Sequence, residues 1–174
     1  MKRTIHIATS LDGFVADIDN GIQWLNALST HPETSARILP FIASVDGTVM
    51  GRITYETCLA FPEWPFPGKH CLVVTRSQAQ PATPTTTFVL PQDIVARAEA
   101  LGIEKLWIVG GGQLNGYMIS RGWVDELIVT VAPILLGKGE SLAPTLESHQ
   151  RLHLREVHPL ADGFVELCYG LRQN

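Results

Sequence analysis

"WIVGGGQLNGYMISRGW", residues 107–123, sets three glycines directly behind a short apolar run and directly ahead of a helical pattern. Glycine loses more conformational freedom on ordering than any other residue, so three in succession need a reason. The apolar run extends back to residue 106 and reads as a buried strand. Leu114, Tyr117 and Met118 share one face of a helix predicted over 113–121 and closed by Gly122. A helix N-terminus offers unpaired N–H groups and the positive end of the helix dipole, so a strand–glycine–helix corner suits an anion such as a phosphate. A tight turn with no ligand is the other reading of the same residues.

Two phosphate loops can be tested by spacing, and both fail. The dinucleotide fingerprint G-x-G-x-x-G has Gly110 and Gly112 but meets Asn115 at its last position, and the next strand ends "VTVAP" without the acidic residue that holds a ribose. The P-loop needs lysine after its second glycine. Gly111 and Gly116 have the gap, but Tyr117 follows, and Gly137-Lys138 has Ala132 where the first glycine belongs.

Further out, the chain alternates short β-rich runs with helical patterns. Strands are predicted at 4–8, 48–50, 71–75, 87–90, 106–109 and 126–132, and helices at 33–43, 52–59, 93–101 and 113–121. Runs such as "CLVV" and "LWIV" are apolar without alternation, as in strands covered on both faces. Residues 152–157 and 164–169 flank "HPLADG", whose Pro159 and Asp162-Gly163 mark a turn, so the chain closes on an antiparallel hairpin. The reading is an α/β fold: a mostly parallel central sheet with helices on both faces, in one domain spanning 1–174.

Two more strand ends resemble the glycine corner. "VMGRITYET", residues 49–57, runs from strand through Gly51 into a helix that begins with Arg52. The helix dipole gives a cation there no benefit, whereas a nearby anion would. "VVTRS" places Thr75, Arg76 and Ser77 at the carboxyl end of another strand, the side on which ligands collect in open α/β sheets. Solvated surface charge is the plainer account of both arginines. Taken together, the three ends predict a cofactor with several phosphates.

Composition narrows the class. A net charge of −4 and a pI near 5.8 argue against a nucleic-acid partner, which calls for a basic face. No run approaches the length of a membrane span, and the first residues move straight into an alternating pattern, so a cytoplasmic protein without membrane contact is expected. Cys58, Cys71 and Cys168 are widely spaced and read as buried thiols. The six histidines form no metal motif, and no metal site is expected.

"MGRITYE", "VVTRS" and "WIVGGGQL", in this order, resemble the dihydrofolate reductase-like superfamily. "SLDGFVA" and "VDELIVTVAPILLGKGESL" narrow the similarity to the branch holding the reductase domain of riboflavin biosynthesis, here as a stand-alone member. The resemblance covers nearly the whole chain. It implies a three-layer sandwich around an eight-stranded, mostly parallel sheet, and NADPH as hydride donor. In its terms Val109, Gly110, Gly111, Gly112, Gln113 and Leu114 would lie along the pyrophosphate and nicotinamide. Gly51, Arg52 and Thr54 would contact phosphates, with Thr75, Arg76 and Ser77 near the 2′-phosphate. Ala8 and Val15, with the loop between them, would border the nicotinamide. The two arginines would then favour NADPH over NADH.

For the substrate, the resemblance assigns Trp24, Thr130 and Asp12, the last also as the candidate catalytic residue. A turn aspartate before Gly13 and a core tryptophan are the alternatives. Folate reductases carry a carboxylate five or six residues after that tryptophan, where this chain has Ser29 and Thr30, which argues against dihydrofolate. Glu33 is expected in the first turn of a helix. The leading expectation is an NADPH-dependent reductase of a pyrimidine- or pterin-like heterocycle, with no basic cluster for a second phosphate. The alternatives are dihydrofolate reductase and a non-catalytic NADP(H)-binding protein. A homodimer is expected through "VAPILLG" or the closing hairpin.

Overall fold

The computed structural model describes residues 1–29, 31–76 and 83–171. In chain order its elements begin with β1 (Lys2–Ser10), β2 (Phe14–Ala16), α1 (Gln23–Leu28), α2 (Ile38–Ser44), β3 (Gly47–Gly51), α3 (Arg52–Leu59) and β4 (His70–Val74). They continue with β5 (Thr86–Val89), α4 (Ile94–Ala100), β6 (Lys105–Gly110), α5 (Gly112–Ser120), β7 (Glu126–Ala132), β8 (Glu140–Ser141), β9 (Leu152–Pro159) and β10 (Val165–Leu171). Eight strands form one sheet in the order β5-β4-β3-β6-β1-β7-β10-β9, and β2 pairs with β8 in a separate ribbon. Neighbours from β5 to β7 are parallel, and β10 is antiparallel to both β7 and β9.

The unbroken apolar runs have the predicted cause. Val49, Leu72, Leu106 and Ile108 face one layer, packing with Ile94 and Ala98 of α4 and Leu114 and Met118 of α5. Their chain neighbours Met50, Cys71, Val73 and Trp107 face the other, packing with Tyr55 and Cys58 of α3 and with Phe66. Adjacent residues point to opposite faces of a strand, so a strand covered on both sides must be apolar at every position. Gly102 and Gly122, both with positive φ, end the turns after α4 and α5.

The structure corrects the helix predicted over 33–43. It divides into a 3-10 turn at Pro32–Ser35, with Glu33 in its first turn, and α2 from Ile38. Pro40 explains the division. Within one continuous helix it would remove an interior hydrogen bond, whereas with α2 starting at Ile38 it sits in the first turn, where no N–H is needed. Helix α1 and the β2–β8 ribbon have no counterpart in the predicted elements. The hairpin is as read, with Asp162 and Gly163 both at positive φ in its turn. Its outer strand β9 is a sheet edge with Leu152, Leu154 and Val157 exposed. Among the described residues, no helix is long and apolar enough to cross a membrane. Thr30 and Ser77, both singled out from the sequence, lie outside the described residues.

Candidate functional site

Because β1, β3 and β6 run parallel, their carboxyl ends share one rim, and a cleft of about 850 Å³ opens along it. The two glycine corners stand side by side. A Cβ built on Gly51 would come 3.9 Å from the carbonyl oxygen of Gly110. Helices α3 and α5 both start at this point, directing their free first-turn amides to the rim.

The three glycines are there for three different reasons. Gly110 has φ +110°, a conformation that side chains rarely adopt, and the peptide that follows it is cis. Gly111 lines the cleft, and the nearest atom to a Cβ there would be Thr54 Oγ1 at 3.8 Å. Gly112 is buried against the segment around β8, where a Cβ would meet the Ser141 carbonyl oxygen at 2.1 Å and Glu140 Oε1 at 2.9 Å. One turn on, a Cβ on Gly116 would meet Thr145 Oγ1 at 2.3 Å. Packing within the chain therefore fixes Gly112, whereas only Gly111 presents bare backbone to the cleft.

The other assigned residues divide between the cleft and its surroundings. Ala8 and Val15, then Gly51, Arg52 and Thr54, and finally Val109, Gln113, Leu114 and Thr130 all line it. Gly110 and Gly112 are buried behind its wall. Thr75 and the exposed Arg76 follow β4 at the same rim but outside the lining. Arg52 starts α3 and pairs at 2.5 Å with Glu56 one turn on, both side chains half exposed. Trp24 is half-buried in α1 and does not line the cleft.

Asp12 also lies outside the lining. Its carboxylate accepts from the Ser10 hydroxyl at 2.6 Å, the Gly137 amide at 2.7 Å and the Leu136 amide at 3.1 Å. The Ser10 hydroxyl, and then the two amides, hold this carboxyl below its usual range. Asp12 thus ties the loop after β1 to the turn after β7.

Two groups escaped the sequence reading. The first is an ion cluster beneath the cleft floor, buried at His6 and Glu166 and half-exposed at Arg37. Glu166 of β10 is 2% exposed, accepts a hydrogen bond from Arg37 Nε and places Oε2 3.4 Å from Nε2 of His6, which lines the cleft. Burial pushes the Glu166 carboxyl up, but His6 and Arg37 outweigh it and hold the group at about 2. A signal was present: Phe164, Glu166 and Cys168 are buried and alternate with half-buried neighbours, so this glutamate is in phase with buried positions. The second is Glu140, which lines the cleft beside the first turn of α5, where the dipole favours an anion. Glu156, His158 and Cys168 bring possible metal ligands within 4.8 Å of one another, but Arg37 stands 4.0 Å from the same Glu156 carboxylate.

Comparison with known proteins agrees with this fold. The RibD C-terminal domain model matches residues 66–165. Uncharacterized protein YwjB of Bacillus subtilis is 31% identical over 171 residues, 97% of each chain. A crystal structure of a Shewanella sp. PV-4 protein assigned to riboflavin biosynthesis superposes with TM-score 0.87 at 28% identity, covering 99% of this chain and 100% of that one. A 44-residue stretch, 25% of this chain and 20% of the relative, is 41% identical to the 2,5-diamino-6-ribosylamino-4(3H)-pyrimidinone 5′-phosphate reductase of Methanothermobacter thermautotrophicus. With the dihydrofolate reductase-like sheet, the adjoining glycine corners and a family match across more than half its length, the chain belongs to the RibD C-terminal domain family.

Proposed function

We propose that the protein is an NADPH-dependent reductase of a pyrimidine- or pterin-like heterocycle. The observation that carries this reading is the pair of strand–glycine–helix corners at Gly51 and Gly110, side by side and open to one large cleft. The cleft volume falls within the range of pockets that enclose cofactors. Bare backbone at Gly111 and the first-turn amides of α5 would hold a pyrophosphate, and Arg52 and Thr54 would contact its oxygens. Arg76 and Thr75 at the end of β4 would reach toward the 2′-phosphate. Ala8 and Val15 would flank the nicotinamide, which supplies the hydride when bound. The chain's own task is to press that ring against the substrate and exclude water, gaining rate from proximity and orientation.

Asp12 acts in this reading as a positioning residue: it fixes the loop bearing Val15 against the 136–137 turn through its three donors. Thr130 stays assigned to the substrate end, where Ser29 stands without the carboxylate of folate reductases, while Trp24, outside the lining, would support that end from α1. The exposed apolar edge of β9 would pair two copies into a homodimer.

The test is a fluorescence titration with NADPH and NADH, followed by NADPH consumption against a panel of aminopyrimidines, pterins and dihydrofolate. Preferential NADPH binding with oxidation on a heterocycle is expected. Absence of NADPH binding overturns the reading. Binding without turnover on any member assigns the non-catalytic alternative, and turnover on dihydrofolate alone assigns a folate reductase.

A further inference from the structure

The cleft has two halves with different charge. Among the described residues that line it, the only lysine, arginine, aspartate or glutamate side chains are Arg52 and Glu140. Both stand at the glycine corners, Arg52 at the first residue of α3 and Glu140 against Gly112. The other half is walled by Leu25, Ile38, Ile42, Phe61, Phe66 and Trp107. Its polar groups include Ser29, Thr34 and Thr130, with the His6 ring on the floor.

Several cations outside this half have other partners. Arg37, behind His6, is held by Glu166 and Glu156. Arg3 is paired with Asp125, Lys2 with Glu126, and Lys69 with the Val45 carbonyl. Of the residues outside the described ones, 30, 77–82 and 172–174, only Arg172 is basic by sequence, and Leu171 before it pairs with Leu152 at the end of β10 remote from Phe164 of the cleft.

A phosphate monoester carries close to two negative charges at neutral pH. Taking it from water into an apolar wall without a cation costs far more than hydroxyl hydrogen bonds return. Sites that hold such a group use arginine or lysine, and the one arginine of this cleft belongs to its cofactor corner. An uncharged planar ring has no such cost. It gains from burial against Leu25, Ile38 and Phe61 and from stacking, and it can hydrogen-bond to Ser29, Thr34 and Thr130.

On the reductase reading, we propose that the substrate of this protein is an uncharged, unphosphorylated planar heterocycle, unlike the 5′-phosphate named for the archaeal relative. The apolar half of the cleft recognises the ring by shape and neutral hydrogen bonds, and among the described residues it has no anchor for a phosphate.

The experiment uses the full chain saturated with NADP+ and compares 2,5-diamino-6-ribosylamino-4(3H)-pyrimidinone with its 5′-phosphate by calorimetry. A built phosphate anchor makes the ester bind on the order of 100-fold more tightly, as two charge-assisted hydrogen bonds would. The inference predicts affinities for the ester no more than about 3-fold above the riboside, or below it. A preference for the ester of about 10-fold or more overturns it. A second arm titrates inorganic phosphate, followed by 31P line broadening. Saturable phosphate binding to the NADP+-loaded protein also overturns the inference. In the free protein one phosphate site, lost in Arg52→Gln, is expected. If NADP+ itself fails to bind, the reductase reading falls, while the phosphate arm still reports the charge of the bare cleft.

Discussion

The two halves of the cleft are built in different ways. The half proposed for the cofactor comes from contiguous stretches, each a strand end, a glycine and the first turn of a helix. The parallel sheet aligns them without further instruction. The half proposed for the substrate is assembled from remote pieces: His6 of β1, Arg37 before α2, aromatic residues after α3, and Glu166 of the last strand. Its polar floor depends on pairings that span 129 residues. The first half is fixed by backbone geometry, the second by buried charge, so they should fail differently when perturbed.

The largest effect is expected on the floor. Glu166→Ala leaves the buried His6 ring and the half-exposed Arg37 without their shared partner. Because Arg37 can turn to water, the cost falls at the low end for a broken buried pair, about 3 kcal/mol, read from urea unfolding. The same cluster predicts a pH dependence. Glu166 stands at about 2 in the folded protein against an ordinary 4.5. Its depressed value contributes stability that is fully present above pH 4.5 and is lost as pH falls from there toward 2. The loss is on the order of 3 kcal/mol. Acid unfolding curves should show it in the native protein and not in Glu166→Ala.

On the other side, Arg52→Gln should leave stability unchanged, because its partner Glu56 is equally exposed, while weakening NADPH binding by roughly 10-fold or more. If that substitution has no effect on affinity, the cofactor half is misassigned. Next come the glycines. Gly112→Ala drives a methyl into the Ser141 carbonyl and should cost about 1–3 kcal/mol in stability. Gly111→Ala meets nothing nearer than 3.8 Å and should leave the Tm in place while lowering NADPH affinity. Equal loss of stability in both would erase the distinction between a packing glycine and a ligand glycine. The smallest effect is reserved for Glu140→Gln. Removing a carboxylate from beside the pyrophosphate corner should tighten NADPH binding about 2–5-fold, with the gain shrinking as salt rises.

The sheet and the cofactor half were legible because their signals are local. Unbroken apolar runs report a doubly covered strand, and the corners at Gly51 and Gly110 are contiguous in sequence. Pro40 was equally local, and giving its missing N–H due weight would have divided the helix over 33–43 correctly. The floor was not legible in the same way. Glu166 stood in phase with buried neighbours, but only the pairing of β10 with β7 brings it to His6, and that contact leaves no trace in either segment. The 140s segment was hidden for a related reason: a two-residue strand has no periodicity to read. Asp12 was visible as a residue, yet its three donors come from positions 10, 136 and 137, so its place outside the cleft followed from the fold alone.

The contact between α5 and the strap at residues 141–145 bears on how such motifs should be read across genomes. A descendant of this chain that had given up its ligand would still need Gly112 and Gly116, because a methyl at either site strikes the protein itself. Persistence of those two glycines would therefore testify to an intact scaffold. Exchange at position 111 would be the earlier sign that chemistry had been abandoned.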